Sequence, residues 1–274
     1  MKVKFYGARG SIPVCERDYQ EFGGNTTCVM LTYANNDIAI LDAGTGIRNL
    51  GKDLLAGGHQ QYEDIFIGFS HFHWDHLQGF PFFLPAYDRR RHFTISAIGK
   101  GRHLKDLKSI FTTPMQSEYF PVSLDEMGAT FYFHQPEVDS FTEEGKNVKT
   151  LKHHHPGGAY SYRIRDVDGR VLVFCTDIEH ADGIDRWVVE FAKGADLLIH
   201  DAQYTPQELK QKKGWGHSSW EQAIEVAERA GVKRLALTHH DPDHNDAFLA
   251  RVEKECQKRF PNCFLVRERM EIEL

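Results

Sequence analysis

A turn rich in histidine and aspartate follows directly on an apolar segment, and this arrangement constrains the fold most strongly. Residues 64–70 predict a β-strand that runs into the turn. His71 and His73 leave the end of this strand on the same side, because side chains alternate along an extended chain. Asp75 and His76 then fall in the turn itself. Such a cluster of potential ligands can hold more than one metal ion.

Further histidines and aspartates stand at the ends of other predicted strands. His155 closes a run of histidines, Asp177 follows the apolar segment 171–175, and His239 follows the segment 233–238. Loops at strand ends converge in layered sheet folds, so we expect these side chains to gather near the histidine-rich turn. Imidazoles and carboxylates without a thiolate suit borderline to hard divalent ions. Neighbouring histidines are alternatives at two of these positions: His153 and His154 for His155, and His240 for His239.

Strands and helices alternate along the chain, which predicts sheet layers covered by helices, an α/β class of fold. The run 171–175 is apolar on successive residues, as expected of a strand covered on both faces. A helix is predicted to begin at Ser218, with Glu221 at the capping-box position. Residues 263–274 predict one closing strand. The length of 274 residues fits a single domain over 1–274.

Composition and charge argue against several other classes of protein. A net charge of −6 gives no overall attraction to nucleic acid or to an anionic membrane. The five cysteines contain no C-x-x-C pair, which argues against a disulfide framework and favours a reducing compartment. No apolar run approaches the roughly 20 residues that span a bilayer, and no secretory signal is evident. We therefore expect a cytoplasmic protein without a membrane partner.

The order of these residues resembles the metallo-β-lactamase superfamily, whose hallmark is H-x-H-x-D-H followed by separate His, Asp and His ligands. The resemblance implies an αββα sandwich, a four-layer fold with the metal ions at one edge between two sheets. It also implies two divalent ions per chain, Zn²⁺ or Mn²⁺ with Fe²⁺ as a third option. The implied ligands of the first ion are His71, His73 and His155, and those of the second are Asp75, His76 and His239, with Asp177 bridging and Asp42 as a buried supporting carboxylate.

Three segments are similar to the phosphodiesterase branch of this superfamily. They are the opening over 6–13 and 22–28, the G-H-S element over 214–219, and the T-H-H-D-P element over 238–242. This branch includes ribonuclease Z and bacterial cyclic-nucleotide phosphodiesterases. The resemblance implies hydrolysis of a small phosphodiester, most readily a cyclic nucleotide. The alternatives are hydrolysis of a lactone, thioester or lactam, and RNA processing of the ribonuclease Z kind.

Ribonuclease Z itself is a poorer match to the chain. We find no long Gly/Pro-rich arm of the kind that this enzyme uses to hold tRNA, and the element over 41–46 differs from its counterpart. A protein that grips a long RNA should also show a basic stripe, because neutralising phosphates drives that affinity. A long nucleic acid is therefore a less favoured partner than a small diester.

Catalytic and substrate-contacting residues are suggested by the same segments. Asp75 and His217 are the candidate catalytic residues, and His217 is predicted to protonate the leaving oxygen from the start of a helix, where phosphate groups also bind well. Glu208 is the candidate partner that orients His217. The aromatic segment 111–121 is compatible with a lid, a contact in a homodimer or plain packing. The candidate substrate contacts are Arg9, Asn25 and His244.

Overall fold

The computed structural model describes residues 1–56, 62–102, 104, 106–143 and 145–274. The strands within these residues are β1 (Lys2–Gly7), β2 (Cys28–Thr32), β3 (Ile38–Leu41), β4 (Asp64–Gly68), β5 (His92–Ser96), β6 (Thr130–His134), β7 (Ser140–Glu143), β8 (Lys146–His153), β9 (Ala159–Arg165), β10 (Val171–Cys175), β11 (Leu197–Asp201), β12 (Leu235–Thr238), β13 (Cys263–Leu265) and β14 (Glu271–Glu273).

The α-helices of the same residues are α1 (Ile47–Ala56), α2 (Trp74–Leu77), α3 (Leu107–Thr112), α4 (Arg186–Ala192), α5 (Pro206–Gln211), α6 (Trp220–Ala230) and α7 (Asp246–Arg259). Short 3-10 turns lie at 17–19, 80–82, 84–87, 113–115 and 124–126. The longer helices pack outside the sheets, while α2 forms the histidine-rich turn itself. In the described residues, no helix is both long and apolar enough to span a bilayer.

Two seven-stranded sheets form the centre of the fold. The first has the order β14-β1-β2-β3-β4-β5-β6 and the second the order β13-β12-β11-β10-β9-β8-β7. Strands β3 to β6 run parallel to one another, as do β10 to β13. One apolar cluster lies between the sheets and one on each outer face beneath the helices. The predicted αββα sandwich is therefore confirmed.

Strand β10 shows how the sequence produces this layering. Val171, Val173 and Cys175 belong to the apolar cluster beneath α4, α6 and α7. Leu172 and Phe174 alternate with them and point into the cluster between the sheets. Because every residue of β10 is buried, a continuous apolar run replaces the alternation of a strand with one wet face. The prediction of a strand covered on both faces is confirmed.

The chain crosses between the sheets near its last residues, and the prediction of one closing strand over 263–274 is wrong. Strand β13 pairs in parallel with β12 in the second sheet. Strand β14 pairs antiparallel with β1 in the first sheet. Arg269 adopts a positive φ of 65° in the turn between them. Strand β13 has three apolar residues and β14 has one, and a hydrophobic pattern over such short strands does not show which sheet each of them joins.

The aromatic segment 111–121 is partly a packing element. Phe111 and Met115 are buried in the apolar cluster on the outer face of the first sheet. The ring of Phe120 contacts that of Phe82 edge to face, with centroids 5.4 Å apart. Tyr119 is 72% exposed, so the tip of the segment faces solvent. The first half of the segment therefore anchors to the domain, whereas its second half forms part of the surface.

Candidate active site

Two groups of metal-ligating side chains lie where strands of both sheets end. The first group contains His71 and His73, which follow β4, and His155, which follows β8. Nε2 of His155 lies 3.0 Å from Nδ1 of His73. The ring centroids of His71 and His155 are 4.7 Å apart. One nitrogen of each ring lies within 4.8 Å of the other two, which is close enough for a single ion to contact all three.

The second group contains Asp75, His76, Asp177 and His239. Nε2 of His239 lies 3.1 Å from Oδ2 of Asp75 and 3.2 Å from Oδ1 of Asp177. Nε2 of His76 lies 3.3 Å from Oδ2 of Asp75 and 3.2 Å from Oδ2 of Asp177. All four side chains are buried. Like the first group, this one combines residues from both sheets.

Asp177 stands between the two groups. Its Oδ1 lies 3.8 Å from Nε2 of His71 and 3.9 Å from Nε2 of His155, both members of the first group. Its carboxylate also contacts the two histidines of the second group. The structure thus places Asp177 where the resemblance predicts a bridging ligand.

A buried carboxylate orients the histidines that follow β4. Oδ2 of Asp42 lies 2.8 Å from Nδ1 of His76 and accepts a hydrogen bond from Oγ of Ser70 at 2.7 Å. Oγ of Ser70 lies 3.1 Å from Nδ1 of His71. These contacts engage Nδ1 of each ring and leave Nε2 directed into the ligand groups. Asp42 therefore lies behind the ligands rather than among them.

The histidines from the second sheet are oriented in the same way. Nδ1 of His155 donates a hydrogen bond to the carbonyl oxygen of Gly216 at 2.8 Å. Nδ1 of His239 lies 3.1 Å from Oε1 of Gln203. Sequence reasoning missed both Gly216 and Gln203 as supporting residues, because neither residue type signals such a contact by itself. Each ring is again left with Nε2 facing the cluster.

The donor set fits divalent cations. Nε2 of His71 is buried without a hydrogen-bond partner among the described residues. Burial, with help from His76, holds the pKa of His71 well below its ordinary value, so its ring is neutral and offers a lone pair. A buried nitrogen of this kind costs free energy unless another partner engages it. Imidazole and carboxylate donors together suit ions such as Zn²⁺, Mn²⁺ or Fe²⁺.

Two carboxylates dominate the electrostatics of the second group. Burial alone would lower the pKa of His239, but Asp177 and Asp75 outweigh it and raise that pKa to about 9. The same two carboxylates raise the pKa of His76 well above its ordinary value against the effect of burial. The histidines in turn hold the pKa of Asp75 and Asp177 below the ordinary value, although burial acts in the other direction. The local field therefore favours positive charge.

The three alternative ligands lie outside both groups. Nε2 of His153 lies 3.2 Å from the backbone oxygen of Asp177, and its Nδ1 lies 2.9 Å from Oγ of Ser161. His154 is exposed, and Nε2 of His240 lies 2.9 Å from the backbone oxygen of a residue after β13. Both nitrogens of His153 thus have partners of their own. The residues that the structure brings into the groups are His155 and His239.

His217 stands against both ligand groups and is held by a carboxylate that sequence reasoning missed. Its Nδ1 lies 2.8 Å from Oδ2 of Asp201, the last residue of β11. Its ring stacks on that of His239 with centroids 4.8 Å apart and meets that of His155 at 5.3 Å. Asp177, Asp201, His217 and His239 also have ligand atoms within 4.8 Å of one another, so service as a further ligand is the alternative to proton transfer.

Two predictions around His217 need correction. Glu208 does not orient this ring, because its Oε1 lies 2.8 Å from Nε2 of His244 and its Oε2 closes the capping box of α5. Helix α6 is capped by Ser219 with Gln222, one residue later than predicted. The hydroxyl of Ser218 instead donates to the backbone oxygen of Ile178. A neighbouring loop thus decides which of two adjacent serines caps the helix.

The predicted substrate contacts lie outside the two ligand groups, and for Arg9 the structure contradicts the prediction. Arg9 is completely buried and donates hydrogen bonds to the carbonyl oxygens of Gly23, Asp241 and His244. It therefore ties two loops together instead of facing a substrate. Nδ2 of Asn25 donates to a glutamate carboxylate after β13, and His244 stacks on α7 while it contacts Glu208.

Three residues of the site adopt a backbone conformation that side chains rarely accept. The φ angles are 60° at Asp42, 56° at Asp177 and 63° at His239. Asp42 directly follows β3 and His239 directly follows β12. Asp177 follows β10 after one intervening residue. Residues in this left-handed region cost free energy and cluster at functional sites. The backbone therefore leaves the extended conformation of the strands at the places where it presents these side chains.

The fold and the site define a member of the β-lactamase superfamily. A family model described as "Beta-lactamase superfamily domain" matches residues 39–240, and the chain belongs to this family. The resemblance to the metallo-β-lactamases is thereby confirmed. Among its relatives, the ribonuclease Z of Lactococcus lactis is 41% identical over 80 residues, which cover 29% of this chain and 26% of that protein.

Longer matches extend over nearly the whole chain at lower identity. The ribonuclease Z of Picrophilus torridus is 23% identical over 319 aligned positions, which cover 98% of this chain and 94% of that protein. A solved structure described as a new diphosphatase from the PhnP family superposes with a TM-score of 0.70 at 16% identity, covering 100% of this chain and 97% of the other. The match to the Lactococcus lactis protein thus spans about a quarter of that relative, and the structural match shows the shared fold.

Proposed function

We propose that this chain is a metal-dependent hydrolase of phosphodiester bonds, with a cyclic nucleotide or a similar small diester as substrate. The observation that carries the proposal is the pair His217–Asp201, which lies against both ligand groups. The alkoxide released from a diester is a poor leaving group and gains from a nearby proton donor. A thiolate leaves readily without one, so the pair favours a diester over a thioester.

The two ligand groups are proposed to hold two divalent ions, with Asp177 contacting both. Ions bound there supply Lewis acidity, which acidifies water and offsets the charge of a phosphoryl group. The identity of the metal is left to experiment among Zn²⁺, Mn²⁺ and Fe²⁺. The proposed ligands are those that the structure brings together: His71, His73 and His155 for one ion, and Asp75, His76 and His239 for the other.

Two side chains are proposed to handle protons. The Oδ2 atom of Asp75 accepts a hydrogen bond from the backbone N–H of Ser11 at 2.8 Å, which fixes the carboxylate beside His76 and His239. Asp75 would accept the proton of the attacking water. His217 has its Nδ1 held by Asp201, so Nε2 is the nitrogen that carries a proton to the leaving oxygen. Acid and base thus come from opposite sheets.

Two exposed tryptophans favour a substrate that carries an aromatic base. Trp74 is 64% exposed and lies between His73 and Asp75 in the chain. Trp215 is 59% exposed and precedes Gly216 and His217. Nucleobases stack on exposed aromatic rings with little regard to sequence, and the ring of Trp215 already attracts a cation, Nζ of Lys212, 4.1 Å from its centroid. Both tryptophans adjoin site residues in sequence, which supports a nucleotide as substrate.

RNA remains the second candidate substrate, because the relatives described above carry the name ribonuclease Z. The prediction that a long nucleic acid is disfavoured is not supported by these comparisons. The net charge of −6 still argues for a small diester, since long RNA is bound largely through basic side chains. The two substrates differ in a measurable way, because only binding of a long RNA should weaken steeply as salt concentration rises.

The substrate class can be tested by initial rates on a panel. We expect turnover of 3′,5′- or 2′,3′-cyclic nucleotides and of an aryl phosphodiester, with slower or no turnover of a structured RNA, a lactone and a glutathione thioester. His71→Ala with reduced metal content serves as the control for contaminating activity. Efficient thioester cleavage without diester cleavage would contradict the proposal, and preferential cleavage of the RNA would select the second candidate.

The proposed stacking role of Trp215 is tested within the same panel. Trp215→Ala is expected to raise KM for a cyclic nucleotide by about tenfold, because base–aromatic stacking is lost. The same variant should leave the KM for 1,2-cyclic glycerol phosphate, which has no base, unchanged. Trp187→Ala is the matched control, since Trp187 is 61% exposed on α4. Equal changes in KM on both substrates would show that Trp215 does not contact a base.

A further inference from the structure

The loop that carries His217 closes around a buried carboxylate. Glu179 is 5% exposed, and its two carboxylate oxygens accept the backbone N–H of Gly214 at 2.8 and 3.0 Å. Its Oε2 also accepts the N–H of Gly216 at 2.8 Å. The φ angles of these glycines are +88° and +91°, which turns both N–H groups toward the same point. Converging backbone N–H groups of this kind form a concave site for an anion, and here a side chain of the same protein occupies it.

The peptide groups of Gly216 connect this carboxylate to a proposed metal ligand. The N–H of Gly216 donates to Glu179, while its carbonyl oxygen accepts the hydrogen bond from Nδ1 of His155. A Cβ atom at position 216 would lie 2.3 Å from Nδ1 of His155, so the loop can approach the ring this closely only with glycine. His217 is the next residue. Any movement of Gly216 therefore displaces both His155 and His217.

The backbone of Glu179 adds a third loop to this junction. Its N–H donates a hydrogen bond to the carbonyl oxygen of His154 at 3.0 Å. Glu179 also lies two residues after Asp177, the carboxylate between the two ligand groups. Three loops thus meet at one residue: the loop after β8 with His155, the loop after β10 with Asp177, and the loop before α6 with His217.

We propose that Glu179 is a positioning residue that holds His217 at the distance from the ligand groups at which it can serve the leaving oxygen. This inference rests on the proposed role of His217. The negative charge is essential to it, because both carboxylate oxygens accept hydrogen bonds from N–H groups. An amide in the same place would present its own N–H groups to one of those donors and push the loop away. Glu179 itself touches neither substrate nor metal.

The first test compares two substrates in Glu179→Gln. The rate on a cyclic or alkyl diester is expected to fall about 10- to 100-fold, the effect of misplacing a catalytic group by about 1 Å. Per equivalent of bound metal, measured in the same preparation because Gly216 also contacts His155, the rate on an activated aryl diester should fall far less, since its leaving group needs little help from an acid. Glu179→Asp keeps the charge on a shorter side chain and should recover part of the loss. Glu190→Gln, on the exposed face of α4, is the matched control.

The second test does not depend on activity or on bound metal. Hydrogen exchange of the segment 212–217 in the metal-free protein should become about tenfold faster or more in Glu179→Gln, because hydrogen bonds to a charged acceptor are lost. Unchanged exchange would overturn the proposal, and so would faster exchange with equal losses of rate on both diesters. A wild-type protein without diester activity would overturn the proposed function instead, while the exchange measurement would still decide whether Glu179 holds the loop.

Discussion

His217→Ala is expected to slow hydrolysis of an alkyl or cyclic diester by about 10²–10⁴-fold, the usual contribution of a general acid. An aryl diester with an activated leaving group should lose much less, because the phenolate departs without a proton. The reason is structural: Nδ1 of His217 is engaged by Asp201, so Nε2 is the nitrogen left to act on the substrate. Initial rates on the two substrates, with metal content measured in each preparation, provide the check.

The same measurement separates proton transfer from metal binding by His217. Asp201→Asn is the companion variant, and it should reproduce the pattern of His217→Ala in weaker form, because an amide oxygen accepts a weaker hydrogen bond from Nδ1 of His217 than a carboxylate does and so holds the ring less firmly. His134→Ala, an exposed histidine on β6, serves as the control. Loss of metal in His217→Ala, or equal losses on both substrates, would assign His217 to the ligand set instead.

Asp177→Ala is expected to remove most of the bound metal and nearly all activity. The wild-type protein should approach two equivalents of Zn, Mn and Fe combined, because seven ligand side chains are too many for one tetrahedral ion. Asp177 lies between the two groups, so its loss weakens both sites at once. Changes behind the ligands typically cost about 10–100-fold in metal affinity, and removal of a ligand should exceed that. Elemental analysis after dialysis gives the stoichiometry.

The measured number of metal ions per chain can also contradict the proposal of two ions bridged by Asp177. Asp125→Ala is the matched control, since the side chain of Asp125 is 79% exposed and far less constrained. A wild-type protein that stays at one equivalent under metal excess would refute the two-ion proposal. An Asp177→Ala variant that keeps two equivalents would show that this carboxylate does not bridge. Folding of each variant should be verified by circular dichroism before metal is measured.

The gathering of histidines and aspartates was predictable because several of them stand at the ends of predicted strands, whereas their division into two ligand groups came from the resemblance to the metallo-β-lactamase superfamily. A histidine or aspartate that directly follows an apolar strand must lie at a sheet edge, and the edges of the two sheets meet. Asp201 obeys the same rule at the end of β11 and could have been found by it. It was missed because the sequence shows it only as a polar end to a buried strand. Its contact with His217, 16 residues later, depends on how the intervening helix α5 folds back.

Other features depend on contacts between residues that are distant in sequence, which a local sequence pattern does not reveal. Arg9 lies between Gly7 and Gly10, a context that suggests an exposed cation in a turn, yet carbonyl oxygens from two distant loops bury it. The choice of Ser219 over Ser218 as helix cap depends on the carbonyl oxygen of Ile178, which engages the hydroxyl of Ser218. In each case the deciding partner lies far away in the chain, so composition and periodicity describe the element but not its role.

At Asp42, Asp177 and His239, the left-handed backbone conformation costs free energy of folding, while the side chains serve the active site. Glycine adopts such φ angles without the steric cost that a side chain incurs. Replacement of any of these residues by glycine would therefore relieve strain at the same time as it destroyed part of the centre. At these three positions, the side chain that serves the centre is therefore carried at a conformational cost to the backbone.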